Sequence, residues 1–154
     1  MKHSVKAISA IFSILGIIAF SPMTLASLKG NLSVEVDNLK NQKGQVCFSI
    51  FSSNRGFPDN GKRALQAQCV KLATTPQKIT FPNLKAGNYA IAVIHDANSD
   101  GILNRNALGI PTEGFGFSNN PVIRTGPPKF GDSAVLVAGS NTNIQIQLQY
   151  FLGK

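Results

Sequence analysis

Apolar and polar residues alternate with a period of two in several separate stretches of this chain. The clearest stretches are residues 32–37 and residues 144–151. Successive side chains of a β-strand point to opposite faces of a sheet, so this alternation predicts half-buried strands. Residues 46–51 are apolar on both faces, which predicts a central strand. Shorter stretches predict further strands at residues 69–72, 78–81, 89–95 and 134–138.

These stretches give about seven strands, and no stretch has a long helical pattern. Many short strands separated by turns are typical of an all-β protein. The sequence therefore predicts a Greek-key, Ig-like β-sandwich.

The first 26 residues have the features of a signal peptide. Lys2 and Lys6 precede an apolar run at residues 7–20, Pro22 ends that run, and residues 24–26 form a small-residue cleavage site. The alternative is a membrane anchor, but the run is shorter than the ~20 residues of a span. We expect a cleaved signal at residues 1–26 and one domain at residues 27–154. The mature protein would have no transmembrane span and would be periplasmic or secreted.

The chain is basic, with a formal net charge of +8, but its basic residues are scattered. Only Lys62 and Arg63 are adjacent within the expected domain, and no basic stripe with interleaved aromatic residues is present. Nucleic-acid binding is therefore not expected. A component of the cell envelope or a carbohydrate is the kind of partner that suits an exported module.

Cys47 and Cys69 are the only cysteines, and each lies in a predicted strand. Cysteines of exported proteins commonly pair, because the compartment is oxidising. We expect a Cys47–Cys69 disulfide; two buried free thiols are the alternative. No CxxC motif or Cys/His pairing suggests a metal site at these residues.

Residues 96–132 form a long connection without a persistent strand pattern. Loops longer than about 12–15 residues are uncommon in compact domains and are usually functional or disordered. This one contains many apolar residues, so we expect an ordered loop that packs on the sandwich, with residues 96–120 as an interaction surface.

The loop begins with oxygen-bearing side chains at alternate positions, followed by a glycine. Such a DxNxDG pattern can wrap Ca²⁺, although the glutamate that closes an EF-hand is missing and a strand precedes the loop. The expected ligands are Asp96, Asn98, Asp100, the Ile102 carbonyl, Asn104 and Glu113. The alternatives are a transition-metal site and a metal-free turn whose side chains accept hydrogen bonds from backbone amides of the same turn.

Other residues of the loop suggest different functions. His95 with Glu113 and Arg105 or Arg124 would suit a small hydrolase, but His95 and Asp96 point to opposite faces of a strand and cannot easily serve one centre. His95 would otherwise be a hydrogen-bonded residue at the sheet edge. The candidate ligand surface consists of His95, Phe115, Phe117, Asn119 and Asn120. Phe115 and Phe117 would stack on a carbohydrate if exposed, or fill the core if buried.

Three blocks of the sequence carry a family resemblance. They are Leu84-x-x-Gly87-x-Tyr89-Ala90, His95-Asp96-x-Asn98-x-Asp100-Gly101 and the run from Gly109 to Asn120, extended by Pro127-Pro128-x-Phe130. The chain resembles the bacterial family DUF2141. The turn from Phe81 to Tyr89 is similar to that of transthyretin-like and carboxypeptidase-regulatory-like sandwiches.

The resemblance implies an exported transthyretin-like sandwich and assigns no activity. The family often has an acid where Asn104 stands, and that departure would weaken a calcium site. We therefore expect a non-catalytic exported module with a calcium-binding loop; the hydrolase and the carbohydrate- or envelope-binding module are the alternatives.

Overall fold

A computed structural model describes residues 29–73 and 75–152 of the chain. The expected signal peptide, residues 1–26, lies outside the described residues. The described chain contains eight strands, one 3₁₀-helix and one short α-helix. The strands are β1 (Lys29–Asp37), β2 (Gln45–Phe51), β3 (Gln66–Lys71), β4 (Gln77–Lys85), β5 (Gly87–Asp96), β6 (Gly114–Phe117), β7 (Ala134–Val137) and β8 (Asn141–Gln147). The 3₁₀-helix is Gly61–Arg63, and α1 is Phe130–Ser133.

The strands form two sheets, as the period-two pattern predicts for a β-sandwich. The smaller sheet has the order β4-β1-β8, and the larger has the order β3-β2-β5-β6. Strand β7 also pairs with β5, so β5 has β7 beside its first half and β6 beside its second half. Strand β2 lies between β3 and β5, which confirms its predicted central position.

The inward faces of the two sheets form the main hydrophobic core. The alternating apolar residues of β1 and β2 are buried there. On β5, Tyr89, Ile91 and Val93 point into this core, and His95 is buried on the same side. Because apolar area removed from water stabilises the fold by roughly 25 cal/mol per Å², this shared interior holds the sheets together.

A second apolar cluster covers the outer face of the larger sheet. Its buried members are Phe51, Ala92, Phe115 and Phe117, and loop residues including Phe57, Leu103, Ile123 and Phe130 pack against them. The long loop is thus a layer on the sheet, in agreement with its apolar content. Phe57 contacts Phe51, with ring centroids 5.4 Å apart.

The prediction that residues 96–132 lack strands is wrong at one place. Strand β6 lies within this segment and pairs with residues 92–95 of β5. Strand propensity does not indicate β6, because two of its four residues are glycines and glycine is depleted in strands. A Cβ at Gly116 would lie 2.7 Å from Ile146 Cγ2, so the crowded inner face of β6 requires glycine.

Strand β4 is longer than its predicted span of residues 78–81. It continues through Pro82 and Asn83 to Lys85. An edge strand tolerates proline, which cannot donate to a ladder. The pairing with β1 shifts its register near Gly30, and Asn83 has a φ of 59°. The Pro82–Asn83 part of the expected turn is therefore an irregularity within β4, and the chain turns at Ala86, between β4 and β5.

The predicted disulfide is confirmed: Cys47 and Cys69 are bonded to each other. They face each other in the antiparallel pairing of β2 and β3. The bridge closes a separation of 22 residues. Among the described residues, none belongs to a helix that has the length and apolar character required to cross a membrane.

Candidate functional site

Two strands bring the ends of the candidate loop together. Strand β5 ends at Asp96 and β6 begins at Gly114, and His95 of β5 is paired with Gly114 of β6. The intervening segment, residues 97–113, is hereafter the calcium-motif loop. Antiparallel pairing at its base places Asp96 and Glu113 at the same end of the sheet, which local sequence spacing alone would not require.

Asp96 connects the sheet to the loop. Its side chain is fully buried, and its Oδ1 accepts a hydrogen bond from the Asp100 amide at 3.1 Å. Its Oδ2 accepts bonds from the Gly101 amide at 2.8 Å and from Gln45 Nε2 at 2.7 Å. A buried carboxylate is costly unless it is hydrogen-bonded, and these donors fulfil that need.

Glu113 holds the two ends of the first turn of the loop. Its Oε1 accepts a hydrogen bond from the Ala97 amide at 2.9 Å, and its Oε2 accepts one from the Asn104 amide at 3.0 Å. Glu113 is itself buried. One carboxylate thus fixes the backbone at both ends of residues 97–104.

The side chains of Asn98, Asp100 and Asn104 converge on the solvent side of this turn. Asp100 Oδ2 accepts bonds from Asn98 Nδ2 at 2.9 Å and from Asn104 Nδ2 at 3.0 Å. Asn98 Nδ2 also lies 3.3 Å from Asn104 Oδ1. These bonds make the turn a compact polar cluster.

Asp100 also caps the backbone of the turn, because its Oδ1 accepts the Ile102 amide at 3.0 Å. The bond from the Asn104 side chain, followed by that from the Ile102 amide, holds the pKa of Asp100 below its usual value of 3.8. The Ile102 side chain is mostly exposed. A carboxylate with a lowered pKa is ionised at neutral pH and remains available to a cation.

His95 lies on the opposite side of β5 from Asp96, as the alternation predicts. Its Nε2 is 2.9 Å from the Lys43 carbonyl and its Nδ1 is 2.7 Å from the Tyr150 hydroxyl. A carbonyl only accepts, so Nε2 carries a proton and donates it. The Tyr150 oxygen accepts the Lys40 amide at 3.1 Å, and its hydroxyl donates to Nδ1 in the neutral histidine. Burial raises the pKa of Tyr150 above 10.0.

The residues of the candidate ligand surface do not form a flat exposed platform. The exposed fractions of Phe115 and Phe117 are 5% and 8%. Asn119 Nδ2 donates to the Asp132 carbonyl, and the Asn120 side chain bonds Gln145 and Gln147 of β8. Both asparagines have positive φ, a conformation that asparagine tolerates better than most residues. The Asn120 side chain thus attaches the loop to β8, and the Asn119 side chain attaches it to α1.

The hydrolase residues are not brought to one centre. Arg105 Nη1 donates to the Gly109 carbonyl and its Nη2 lies 3.7 Å from Asp59. His95 and Glu113 have the partners described above, and Arg124 is exposed.

Sequence reasoning missed Gln45 and Tyr150 as partners of Asp96 and His95. The alternation over residues 144–151 put Tyr150 on the same face as Ile144, Ile146 and Leu148, but it could not identify a partner for the hydroxyl group.

The described residues contain no group of three or more His, Cys, Asp or Glu side chains arranged to hold a metal. The loop instead combines the carboxylates of Asp96 and Asp100 with the amides of Asn98 and Asn104. Carboxylate and amide oxygens suit hard cations such as Ca²⁺ rather than transition metals that prefer nitrogen or sulfur ligands.

Comparison with protein families gives one match over most of the sandwich. The family model of DUF2141, described as an uncharacterized protein conserved in bacteria, matches residues 34–145. Comparison with curated proteins and with solved structures gives no match. The matched range begins within β1 and ends within β8, and it includes strands β2 to β7, the calcium-motif loop and both cysteines. The chain therefore belongs to the DUF2141 family of uncharacterized bacterial proteins.

Proposed function

We propose that the protein is an exported, non-catalytic β-sandwich module that binds Ca²⁺ weakly through the calcium-motif loop and presents this end of the larger sheet as an interaction surface. The observation that carries the proposal is the convergence of Asn98, Asp100 and Asn104 beside Asp96. The disulfide supports export, because disulfides persist in oxidising compartments.

The spacing of the converging side chains suits a calcium ion. Ligands that surround Ca²⁺ at about 2.3–2.6 Å in six- to eightfold coordination lie roughly 3 Å from one another. The separations between Asn98, Asp100 and Asn104 atoms are 2.9, 3.0 and 3.3 Å. Rotation of each asparagine amide exchanges its nitrogen and oxygen and would turn an oxygen toward the ion.

Asp96 supplies a further oxygen. Its Oδ1 accepts one backbone amide, and a carboxylate oxygen has two lone pairs, so one lone pair can meet a cation. The Ile102 carbonyl is the remaining protein ligand in the proposal. Glu113 keeps its two amide partners and holds the loop in shape from outside the coordination sphere.

Two carboxylates make a weak site. Extracellular calcium modules work at about 10⁻⁴–10⁻³ M, a range that suits a low count of charged ligands. When bound, calcium would supply charge neutralisation and loop rigidity.

The hydrolase alternative has less support. Proton transfer requires a base or an acid within reach of a substrate. Both ring nitrogens of His95 and both carboxylate oxygens of Glu113 have protein partners, and His95 is 1% exposed. The carbohydrate alternative requires exposed ring faces, whereas Phe115 and Phe117 are buried.

Thermal unfolding of the purified protein with Ca²⁺ and with a chelator tests the proposal. We expect a saturable rise in Tm, because Ca²⁺ binds the folded state. At a free Ca²⁺ concentration of 100 times Kd, binding adds about 2.7 kcal/mol to the free energy of unfolding. Asp100→Ala should abolish the rise. Glu35→Ala, which removes a surface carboxylate of β1 in the smaller sheet, should leave it unchanged.

An unchanged Tm in the wild type up to ~10 mM Ca²⁺, above the usual range of extracellular sites, would overturn calcium binding. An equal rise in Asp100→Ala and Glu35→Ala would overturn the ligand assignment.

A further inference from the structure

An open cleft lies on the outer face of the larger sheet, beside the calcium-motif loop. Its volume is about 1190 Å³, and residues 58–62 and 101–103 form its two sides. The floor includes the disulfide of Cys47 and Cys69 together with Ala92 and Ile94. Apolar atoms thus form much of the surface against which a ligand could rest.

The cleft adjoins a smaller apolar cavity of about 220 Å³. Leu103, Ile110, Phe115, Ile123 and Phe151 line this cavity. Leu103, Arg105 and Phe115 line both spaces, so the cavity and the cleft share a wall. An engineered apolar cavity of about 150 Å³ accepts benzene, and the present cavity has room for one aromatic ring with a short arm.

The charges around these two spaces are mainly positive. The charged lining residues are Lys62, Arg105, Arg124 and Asp59. Arg105 has a loose contact with Asp59 at 3.7 Å. Within residues 29–73 and 75–152, neither Lys62 nor Arg124 has an ion-pair partner. The charged residues that line the apolar cavity itself are Arg105, Arg124 and Asp59, so its lining carries a net positive charge and is complementary to a small anion with an apolar body.

We propose that the 220 Å³ cavity binds a single-ring aromatic carboxylate, with the ring inside the cavity and the carboxylate at the guanidinium of Arg124 or Arg105. The rings of Phe115 and Phe151, whose centroids are 5.0 Å apart, offer edges to the ligand ring. A guanidinium matches a carboxylate with two parallel hydrogen bonds. This proposal does not rest on calcium binding, since none of the proposed ligand side chains lines the cavity.

The test is a titration of the full protein with 3-phenylpropionate, followed by amide chemical shifts and by calorimetry. We expect saturable shifts centred on Ile110, Ile123 and Phe151. The neutral 3-phenylpropanamide and the cationic 3-phenylpropylamine serve as probes of charge, and both should bind at least about tenfold more weakly because they lose a charged hydrogen bond.

Variants locate the site. The Arg105→Gln/Arg124→Gln double variant should weaken 3-phenylpropionate binding by about tenfold or more, and the two single variants show which guanidinium holds the carboxylate. Arg55→Gln is the matched control, because Arg55 is exposed and lines neither space. All three changes replace exposed side chains, and an unchanged Tm would show that the variants are folded.

Absence of saturable binding up to ~10 mM, equal binding of the amide, or wild-type affinity in the Arg105/Arg124 double variant would each overturn the proposal, because a charge-assisted site requires all three dependences. Shifts centred away from the cavity would do the same.

Discussion

At the scale of single residues, two buried carboxylates shape the calcium-motif loop by accepting backbone amides. Asp96 accepts the amides of Asp100 and Gly101, while Glu113 accepts those of Ala97 and Asn104. Hydrogen bonds to charged acceptors contribute more than neutral ones, about 1.5–3 kcal/mol each. The loop is thus ordered by side chains at its two ends before any ligand binds.

We predict that Glu113→Gln destabilises the fold by about 1–3 kcal/mol, because glutamine has one acceptor oxygen and leaves one amide facing an NH₂ group. The measurement is the urea midpoint at neutral pH. Glu35→Gln is the control: Glu35 forms a surface ion pair with Lys78 at 2.8 Å, and such pairs contribute about 0.2–1 kcal/mol. If Glu113→Gln lowers the free energy of unfolding no more than Glu35→Gln does, Glu113 does not stabilise the loop through its two backbone hydrogen bonds.

A second prediction concerns Tyr150, whose pKa is raised by burial above 10.0. A folded-state pKa above the unfolded value means that folding favours the neutral phenol. That contribution is present below pH ~10 and is lost as the pH rises through the folded-state pKa. The chain has two tyrosines and no tryptophan. Phenolate absorbance of a Tyr89→Phe variant should therefore report Tyr150 alone, with a midpoint above 10.

Circular dichroism over the same pH range would show that the Tyr89→Phe variant remains folded. A midpoint at or below 10 in the folded protein would contradict the effect of burial on Tyr150.

At the scale of elements, β6 shows how a strand can form from a glycine-rich sequence. Gly114 and Gly116 face the inner side, where Tyr150, Ile146 and Leu148 already fill the space. Phe115 and Phe117 face outward into the second cluster. The strand therefore buries aromatic rings on one side and brings its backbone close to neighbouring side chains on the other.

We predict that Gly116→Ala destabilises the protein by about 1–3 kcal/mol through overpacking. A Cβ there would lie 2.7 Å from Ile146 Cγ2 and 3.0 Å from the Gln147 carbonyl oxygen. Gly131→Ala in α1 is the matched control, because its Cβ would meet no atom within 4 Å. Chemical denaturation should show a change below about 1 kcal/mol for the control. Equal effects of the two changes would refute close packing at Gly116.

The edge strand β3 depends on its covalent link. Its residues are mostly exposed, and only Val70 packs partly against the core. The Cys47–Cys69 bond joins it to the buried strand β2. A cross-link that closes a loop of this length contributes about 3 kcal/mol in the chain-entropy model.

At the scale of the whole molecule, the sandwich is closed by a parallel pair of strands distant in sequence. Strand β8 runs parallel to β1, from Asn141 opposite Asn31 to Gln147 opposite Asp37. The second apolar cluster adds the long loop as a further layer on the larger sheet. Local stability against opening should consequently be highest in the strands that have a paired strand at both edges.

Amide hydrogen exchange can test this order. We predict the slowest exchange in β1, β2 and β5, which have paired neighbours on both sides, and faster exchange in β3, whose outer edge pairs with none of the described strands. A Cys47→Ala/Cys69→Ala double variant should accelerate exchange in β3 more than in β5. Uniform acceleration throughout the sheet would contradict a specific role of the disulfide at the edge.

The sequence by itself determined the all-β class, the inward face of most strands, and the separation of His95 from Asp96, because alternation is a local property of each strand. It also indicated the disulfide, through the cysteine count and the oxidising compartment that the predicted signal peptide implies. Tertiary structure decided which strands pair, including the parallel β1–β8 pair and the glycine-rich β6. It also decided that Gln45 meets Asp96 and Tyr150 meets His95. These contacts join residues about 50 positions apart in the chain, and no local pattern specifies such partners.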